Sequence, residues 1–504
     1  MNLSTHFPTL LPRLSQRYDT VSVLVLLGVY WLSFIAWLYP SIVAPCLTVV
    51  GLSVFFVTAR NISMGLAVVV TEVFIGSFGH LLGIAVGRFM LSLRMMLFLS
   101  FFLGVVVWCV GRAGEWKELF RGIRRTLLQF PWLSLFIVGA VLGVLRALQL
   151  HNDRARIVDD ANQWVFLCVL MVLPWALKTH SFPRLIATLY RVSMVALGIA
   201  TLLILYIFTH DSQLNIAISV FRWARDTRLS EITLLSSSFS RVFLQSQVLL
   251  LPLWLSLVDY SGKERIYRKR FLSMLILVTS VLLVSLSRSF WVGMVVGVVA
   301  LGIVRLRESG AKILWPLGRT LFIGFGGALI VIWATIHFPF PLSTSVSLTD
   351  TLLERTTTLN EAATASRWSL LPALWEKVKL HPLMGSGFGA TVTYKSQDPR
   401  IIETNPTGEY TTHAFEWGVL DFWYKFGIVG IVMLGALLIW VYTLFRKNMV
   451  ISSVSIVTLL AVHTFTPYLN HPLGFVYLLL ITIAQCVHQD ISTWCFDTQN
   501  NKGV

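Results

Sequence analysis

Charged residues are scarce in this chain. Only 13% of its 504 residues are Asp, Glu, Lys or Arg, and 56% are hydrophobic, whereas a soluble domain carries roughly 25% charged residues. This composition excludes an ordinary soluble globular fold, because polar groups are too few to cover the apolar surface. The sequence therefore predicts a polytopic membrane protein.

Cysteine is also rare, and its placement argues against a metal site. The five cysteines lie mostly within apolar stretches, with no C-x-x-C pair and no metal-like spacing to histidine. We therefore expect these cysteines to fill the core rather than to form a metal site. The net charge of +16 is the excess of Lys and Arg that cytoplasmic loops of membrane proteins carry. Since no nucleic-acid-binding motif is present, we expect no nucleic-acid partner.

Apolar segments recur along the whole sequence. One crossing needs about 20 apolar residues, and hydropathy predicts about fourteen candidate spans in a single transmembrane domain over 1–504. The first follows Arg13 and Arg17 and is too long for the core of a signal peptide, so we interpret it as an uncleaved span. The candidate spans lie near 21–39, 41–58, 63–86, 90–110, 130–149, 162–178, 185–209, 242–258, 271–286, 289–304, 320–337, 420–445, 451–466 and 472–487.

Loop charges predict the orientation of these spans. If both termini are cytoplasmic, nearly every short basic loop lies on the cytoplasmic side, as the positive-inside rule requires. The segment 338–419 then lies on the opposite side. At roughly 80 residues it is the one connection long enough to fold by itself, so we expect function to reside there and on the nearby span ends.

The apolar run from Phe271 to Val304 is too long for one crossing and is interrupted at Ser285–Ser289. Five cations precede it in 263–270 and four follow it in 305–319. A hairpin keeps both groups in the cytoplasm and turns Arg288 outward, whereas one continuous helix would separate them. A charge at this depth is costly and usually functional.

The long loop contains two local patterns. Apolar residues recur every three or four positions from Ala362 to Leu380, which predicts an amphipathic helix, either on the membrane surface or over a cavity, or else packed on its own loop. The next stretch, H-P-L-M-G-S-G-F-G, contains His381, Gly385 and Gly387. No strand precedes these glycines and no helix follows them, which favours a tight turn with close backbone packing over a dinucleotide loop.

Other outward residues have two interpretations each. Arg241 is either a snorkelling end-cap or a functional cation. His413 precedes the re-entry into the membrane and is either an interfacial hydrogen-bonding residue or a base. Arg222, Arg225 and Arg228 form either a lipid-contacting surface helix or additional phosphate ligands.

The order of these motifs resembles the O-antigen ligase and O-antigen polymerase superfamily. The resemblance covers about 240–445 and implies an all-α helical bundle of the GT-C type, with about 12 to 14 transmembrane helices and one large periplasmic loop, 338–419. It also implies an inverting, metal-independent glycosyltransferase without a cofactor. The motifs are S-R-S-F-W-V-G at 287–293, S-R-W at 366–368, H-P-L-M-G-S-G-F-G at 381–389, T-H-A-F at 412–415 and G-I-V-G at 427–430.

The resemblance further implies the substrates and the compartment. The donor would be a glycan on undecaprenyl pyrophosphate, and transfer would occur on the periplasmic side of the bacterial inner membrane, among membrane lipids. An O-antigen ligase of lipopolysaccharide biosynthesis uses lipid A core as the acceptor. A repeat-unit polymerase of O-antigen or exopolysaccharide extends a glycan instead. A polytopic transporter or lipid-carrier flippase is the alternative of another class, with Glu72, Arg94 and Arg146 as its intramembrane candidates.

The resemblance also assigns roles to individual residues. Arg288 and Arg241 match arginines that hold the pyrophosphate, Arg367 belongs to the S-R-W loop motif, and His413 matches the histidine that deprotonates or orients the acceptor hydroxyl. Ala414 follows His413 where the family usually has Asn, Ser or Gln, and the distance to Gly427 is about one helical turn longer, so Glu416 becomes a second candidate base.

Residue chemistry agrees with the arginine roles. A pyrophosphate leaving group needs either a metal ion on carboxylates or fixed cations. The outward loops contain no D-x-D pair, whereas arginine is always charged and binds phosphate oxygens in a bidentate way.

Overall fold

The computed structural model describes residues 10–86, 89–112, 114, 116–179, 181–210, 216–236, 239–260, 268–338, 362–396 and 399–496. Within these ranges the chain is mainly helical, and its β structure consists of three two-stranded antiparallel hairpins. The predicted class, an all-α polytopic membrane protein, is confirmed. Part of the predicted loop 338–419, at 339–361 and 397–398, lies outside the described residues.

The elements are numbered in chain order. The helices are α1 (Leu10–Leu38), α2 (Val43–Arg60), α3 (Ile62–Ile75), α4 (Leu93–Gly111), α5 (Trp116–Gln129), α6 (Pro131–Gln149), α7 (Arg154–Trp164), α8 (Phe166–Met171), α9 (Leu173–Ala176), α10 (Ser181–Thr209), α11 (Ala217–Asp226), α12 (Leu250–Tyr260), α13 (Arg268–Val284), α14 (Arg288–Ser309), α15 (Leu314–His337), α16 (Ala362–Leu380), α17 (Pro399–Thr404), α18 (Gly418–Phe426), α19 (Ile428–Arg446), α20 (Val450–Phe465), α21 (Pro472–Cys486) and α22 (Ile491–Phe496). The strands are β1 (Gly83–Val86), β2 (Phe89–Ser92), β3 (Ser230–Ser236), β4 (Phe239–Leu244), β5 (Val392–Lys395) and β6 (Glu409–Thr412). Short 3-10 turns cover Pro40–Ile42, Gln245–Leu249, Ala311–Ile313 and Tyr468–Asn470.

Nine helical segments among the described residues are long and apolar enough to cross a membrane. They coincide with nine of the predicted spans. The other five predicted spans coincide with the shorter helices α3, α12, α13, α20 and α21. The total number of crossings therefore stays a prediction.

Three predicted spans have different boundaries in the structure. The span predicted at 63–86 is helical only to Ile75, because the chain turns at Gly76–His80 and then forms the β1–β2 hairpin. The span predicted at 162–178 is divided into α7, α8 and α9. The span predicted at 420–445 is divided at Gly427, whose φ of +61° does not belong to a helix.

The core of the bundle surrounds α21. Every residue of this helix from Pro472 to Gln485 is buried, and its sequence is apolar on all sides, as a central helix requires. Helices α3, α12 and α20 are buried along most of their length as well. The helices that carry wide exposed apolar faces, such as α1, α2 and α4, surround them. These faces suit contact with lipid.

The break in the run Phe271–Val304 is present. Helix α13 ends at Val284 and α14 begins at Arg288, so a single continuous helix is excluded, as the loop charges predicted. The two helices do not form a close pair, since α13 packs chiefly on α15, and α14 packs on α20. Between them Leu286 has a φ of +45°, a conformation that costs a non-glycine residue about 1 kcal/mol or more.

A buried charge network joins the long loop to the bundle. Lys425 of α18 lies 3.0 Å from a carboxylate oxygen of Asp160 in α7 and 3.2 Å from one of Asp421. Asp421 also accepts a hydrogen bond from Asn470. Burial raises the pKa of Asp421 to about 7, an effect opposed by the charge of Lys425 and reinforced by that of Asp160. Both carboxylates, of Asp160 and Asp421, therefore depend on Lys425 for the positive charge that compensates theirs.

We predict that Lys425→Met destabilises the protein strongly. The change leaves two carboxylates without their cation in a buried site, which costs about 3–5 kcal/mol. Thermal unfolding of the purified protein in detergent measures the effect. Lys178→Met is the matched control, because the pair Lys178–Glu118 is about half exposed and contributes about 1 kcal/mol or less. Equal melting temperatures for the two variants would contradict the prediction.

Candidate active site

Arg241 lies on the break between α13 and α14. Its Nε donates a hydrogen bond of 2.8 Å to the backbone carbonyl of Ser285, and its guanidinium carbon lies 4.8 Å from the centroid of the Phe243 ring. Strand β4 holds Arg241 in this place through its register with β3, where Arg241 is opposite Thr233. The structure thus brings Arg241 to the turn that precedes Arg288, and their role in one site stays a prediction.

Arg288 is the first residue of α14 and is partly buried. It stands between two buried serines, Ser287 and Ser289, whose hydroxyls are 3.0 Å apart. Thr466, beyond the end of α20, donates a hydrogen bond of 3.1 Å to the Ser289 hydroxyl. Because a helix N-terminus attracts anions, the N-terminus of α14 adds to the positive potential of Arg288, the first residue of that helix.

A cavity of about 310 Å³ lies beside Arg241. The β3–β4 hairpin lines it with Glu231, Thr233 and Phe243, and the end of α11 lines it with Arg225 and Arg228. The Glu231 carboxylate is 3.8 Å from Nη1 of Arg241. Two arginines, Arg225 and Arg228, therefore line the cavity, and Arg241 lies next to its wall through Glu231 and Phe243. The cavity is large enough for a phosphorylated group.

Of the three arginines around α11 that the sequence marked, Arg225 and Arg228 line the cavity. Arg222 is exposed on the same helix and is not one of the lining residues. Glu231 is a cavity residue that the sequence reasoning did not mark. Its alternation with Thr233 along a strand was the available signal, but the span prediction had left this segment without strands.

A second charged cluster supports the cavity from the α3–α4 side. Arg94 makes two hydrogen bonds to the Glu72 carboxylate and one of 2.9 Å to the Ser77 carbonyl. This fixes the turn that places Phe78 in the cavity wall. Burial, together with the charges of Arg228 and Arg94, lowers the pKa of His80 to about 4. His80 is therefore neutral at pH 7, and the arginines supply the positive charge here.

The glycine motif of the loop forms a tight, closely packed turn, as favoured from the sequence. Gly385, Gly387 and Gly389 all have φ near +70°. A Cβ on Gly387 would lie 2.4 Å from the backbone nitrogen of Ala147 in α6. His381 closes the start of the turn, because its carbonyl accepts a 2.9 Å bond from the Gly385 amide. The motif thus packs the loop closely against α6 of the helical bundle.

The predicted amphipathic helix is present as α16, with the predicted bounds Ala362–Leu380. Its buried face is Leu370, Leu374 and Val378, which pack with Val392 and Phe415 of the same loop and with Tyr424 of α18. Trp368 is instead 57% exposed. Of the alternatives left open by the sequence, packing on its own loop is the one these contacts favour.

His413 and Glu416 lie between β6 and α18, in a segment without helix. The Glu416 carboxylate forms an ion pair with Arg367 of α16, so the loop arginine and the second candidate base are partners. Trp417, next to Glu416, donates a 3.0 Å bond to the Arg367 carbonyl.

One structural connection joins this segment to the arginine site. The Trp417 and Phe465 rings are 5.9 Å apart, and the residue after Phe465 is Thr466, which bonds Ser289 beside Arg288. The predicted site residues thus form two groups, one around Arg241 and Arg288 and one around His413, joined through the end of α20.

Within the described ranges, no three His, Cys, Asp or Glu side chains come together in a way that would hold a metal ion. The positive charge around the cavity belongs to Arg225, Arg228 and Arg241. Fold and site together define the class: an all-α polytopic membrane protein with an arginine-lined cavity at one end of its helical bundle.

Residues 272–435 match the family model described as O-antigen ligase. This segment is therefore similar to the O-antigen ligase family, and the resemblance to the O-antigen ligase and polymerase superfamily is confirmed. The match includes Arg288, the glycine turn and His413, whereas Arg241 and the other cavity arginines precede it. A search among curated proteins finds no match.

Proposed function

We propose that this protein is an inverting membrane glycosyltransferase that moves a glycan from undecaprenyl pyrophosphate to an acceptor hydroxyl, as an O-antigen ligase acting on lipid A core. The observation that carries the proposal is the bond from Arg241 to the Ser285 carbonyl. It joins Arg241, which lies beside the arginine-lined cavity, to the turn before Arg288, inside the segment that matches the O-antigen ligase model.

The arginines would stabilise the leaving group. As the bond from the sugar to the pyrophosphate breaks, negative charge grows on the pyrophosphate oxygens, and fixed guanidinium groups lower the energy of that state. Arg241 and Arg288 would bind the pyrophosphate, and Arg225 and Arg228 would add charge from the other cavity wall. The helix dipole of α14 acts in the same direction.

His413 is our proposed base for the acceptor hydroxyl. Glu416 is the alternative, but its carboxylate is paired with the Arg367 guanidinium, which makes it a weaker proton acceptor. The acceptor hydroxyl would lose its proton to His413 and attack the anomeric carbon from the face opposite the pyrophosphate, which inverts the configuration.

The loop charges support a periplasmic site with cytoplasmic termini, since this orientation keeps nearly all short basic loops on the cytoplasmic side. Inner-membrane location follows from the donor, which that membrane supplies. The contacts in the structure do not favour a transporter. Glu72, Arg94 and Arg146, its intramembrane candidates, bond to each other or to backbone carbonyls that fix turns.

We predict that Arg288→Ala lowers transfer by about a hundredfold or more, because one lost donor to the leaving group costs about 3 kcal/mol of transition-state stabilisation. The assay is glycan transfer by purified, reconstituted protein from a lipid-pyrophosphate donor. Arg307→Ala is the matched control, since Arg307 is exposed in the last turn of the same helix. Full activity of a well-folded Arg288→Ala protein would refute the proposal.

His413→Ala should lower the turnover rate by about 10²-fold or more, as loss of a general base does. Glu416→Gln should have only the small effect of breaking its ion pair. Arg367→Met distinguishes loss of the ion pair from loss of the carboxylate, because it breaks the ion pair and keeps the Glu416 carboxylate. If Glu416→Gln is inactive while Arg367→Met and His413→Ala are active, Glu416 is the base and His413 is not.

A lipopolysaccharide gel distinguishes ligase from polymerase. For a ligase, deleting the gene is expected to leave bare lipid A core, because no glycan is transferred to it. Core that carries a single repeat unit would instead identify a polymerase. Complementation with the wild-type chain and with Arg288→Ala provides the controls.

A further inference from the structure

Helix α5 joins two candidate membrane spans, α4 and α6. Its 14 residues extend over about 21 Å at 1.5 Å per residue, which is too short for a bilayer core of about 30 Å. The helix also carries four exposed cations, Lys117, Arg121, Arg124 and Arg125, and burying them in hydrocarbon would be costly. Since both ends of α5 lead into spans, the helix lies along the membrane surface.

The side chains of α5 fall into three sectors around its axis, at about 100° per residue. Leu119 and Thr126 are buried on the side where α5 packs on α6, α8 and α9. Trp116 and Phe120 lie in the next sector and are 44% and 60% exposed. The four cations occupy the sector after that, and we call them the cationic stripe. A helix at a membrane surface needs this order of protein, hydrocarbon and headgroup contacts.

The one acidic residue of α5 does not neutralise the cationic stripe. Glu118 is paired with Lys178 at 2.6 Å, and the Lys178 ammonium also lies over the Trp175 ring, 3.8 Å from its centroid. Within the part of the chain that the structure describes, none of the four stripe cations forms an ion pair with a carboxylate. The negative charge that complements the stripe therefore has to come from another molecule.

We propose that α5 is a binding surface for anionic phospholipids of the adjacent leaflet. Trp116 and Phe120 enter the boundary of the acyl chains, and the guanidinium groups of the cationic stripe bind headgroup phosphates in a bidentate way. A zwitterionic headgroup has the same phosphate but adds a cation, which the stripe repels. The surface therefore selects lipids with a net negative charge. This inference is independent of the proposed glycan transfer.

The positive-inside rule offers a simpler explanation of the same cations, because basic residues accumulate on the cytoplasmic side of membrane proteins in general. That rule requires the charges to lie on one side of the membrane, but it does not require them to be aligned. In α5 they are aligned along one helix, beside exposed aromatic rings. The two explanations predict different results when equal charge is removed elsewhere on the same side.

The test measures lipid binding by native mass spectrometry, as the phosphatidylglycerol concentration at which half of the purified protein retains a first lipid. The stripe variant changes three arginines of α5 together, by Arg121→Gln, Arg124→Gln and Arg125→Gln. The control variant changes three exposed arginines on the separate helices α2, α15 and α19, by Arg60→Gln, Arg319→Gln and Arg446→Gln. Both variants lose the same charge from the side predicted to be cytoplasmic.

For the stripe variant we expect this concentration to rise about tenfold or more, since each lost cation weakens the attraction to an anionic surface about fivefold. The control variant should change it by less than about twofold, because scattered cations do not share a lipid. Equal losses in the two variants, or equal binding of phosphatidylcholine and phosphatidylglycerol by the wild type, would overturn the inference. Displacement of the lipid by excess glycerol phosphate would identify a site for free anions and reject the lipid surface.

A second measurement uses the wild-type protein. Hydrogen exchange of the α5 amides is compared between nanodiscs of phosphatidylglycerol and of phosphatidylcholine. Exchange should be several-fold slower in phosphatidylglycerol, because a ligand that binds the folded helix opposes its opening. The connection 305–313, which also carries cations, should exchange equally in both lipids. Equal exchange of α5 in the two lipids, or equal slowing of both segments, would contradict the proposal.

Discussion

The break between α13 and α14 leaves backbone groups without helical partners at a buried position, and they require other partners there. Arg241 supplies one of them by binding the Ser285 carbonyl. The guanidinium near the end of α13 also interacts favourably with the negative end of its helix dipole. The same bond fixes the β3–β4 hairpin over the break, and with it the wall of the cavity. One interaction therefore satisfies a helix end and positions a cationic site.

The long loop is attached by a different set of constraints. Three positive-φ glycines let its backbone approach α6, α7 and α18 more closely than any side chain would allow. The Asp160–Lys425–Asp421 network then joins α7 to α18, and Asp160 also accepts a bond from the Gly389 amide. Because α18 starts five residues after His413, these contacts determine where the His413 segment lies. The glycine turn thus helps to position the His413 segment and is not part of the arginine group.

Features that depend on local composition could be predicted from the sequence. The break at Ser285–Ser287 followed from the length of the apolar run and the loop charges. The glycine turn followed from the absence of a strand before the glycines and of a helix after them. The rotation of α11 could not be predicted. It depends on Trp223 packing on α1, which places Arg225 in the cavity lining and Arg222 outside it. The pairing of Glu416 with Arg367 joins residues 49 positions apart, so no sequence periodicity could show it.

The family match covers only part of the candidate site. Arg288, the glycine turn and His413 lie within 272–435, whereas Arg225, Arg228 and Arg241 lie before this segment. In the proposed reaction, the matched segment contains the acceptor base and one pyrophosphate ligand. The preceding segment contains the remaining donor contacts. The Arg241–Ser285 bond and the contact between the Phe243 and Phe290 rings couple these two parts, so a change in the β3–β4 hairpin would reach the turn before Arg288 through these contacts.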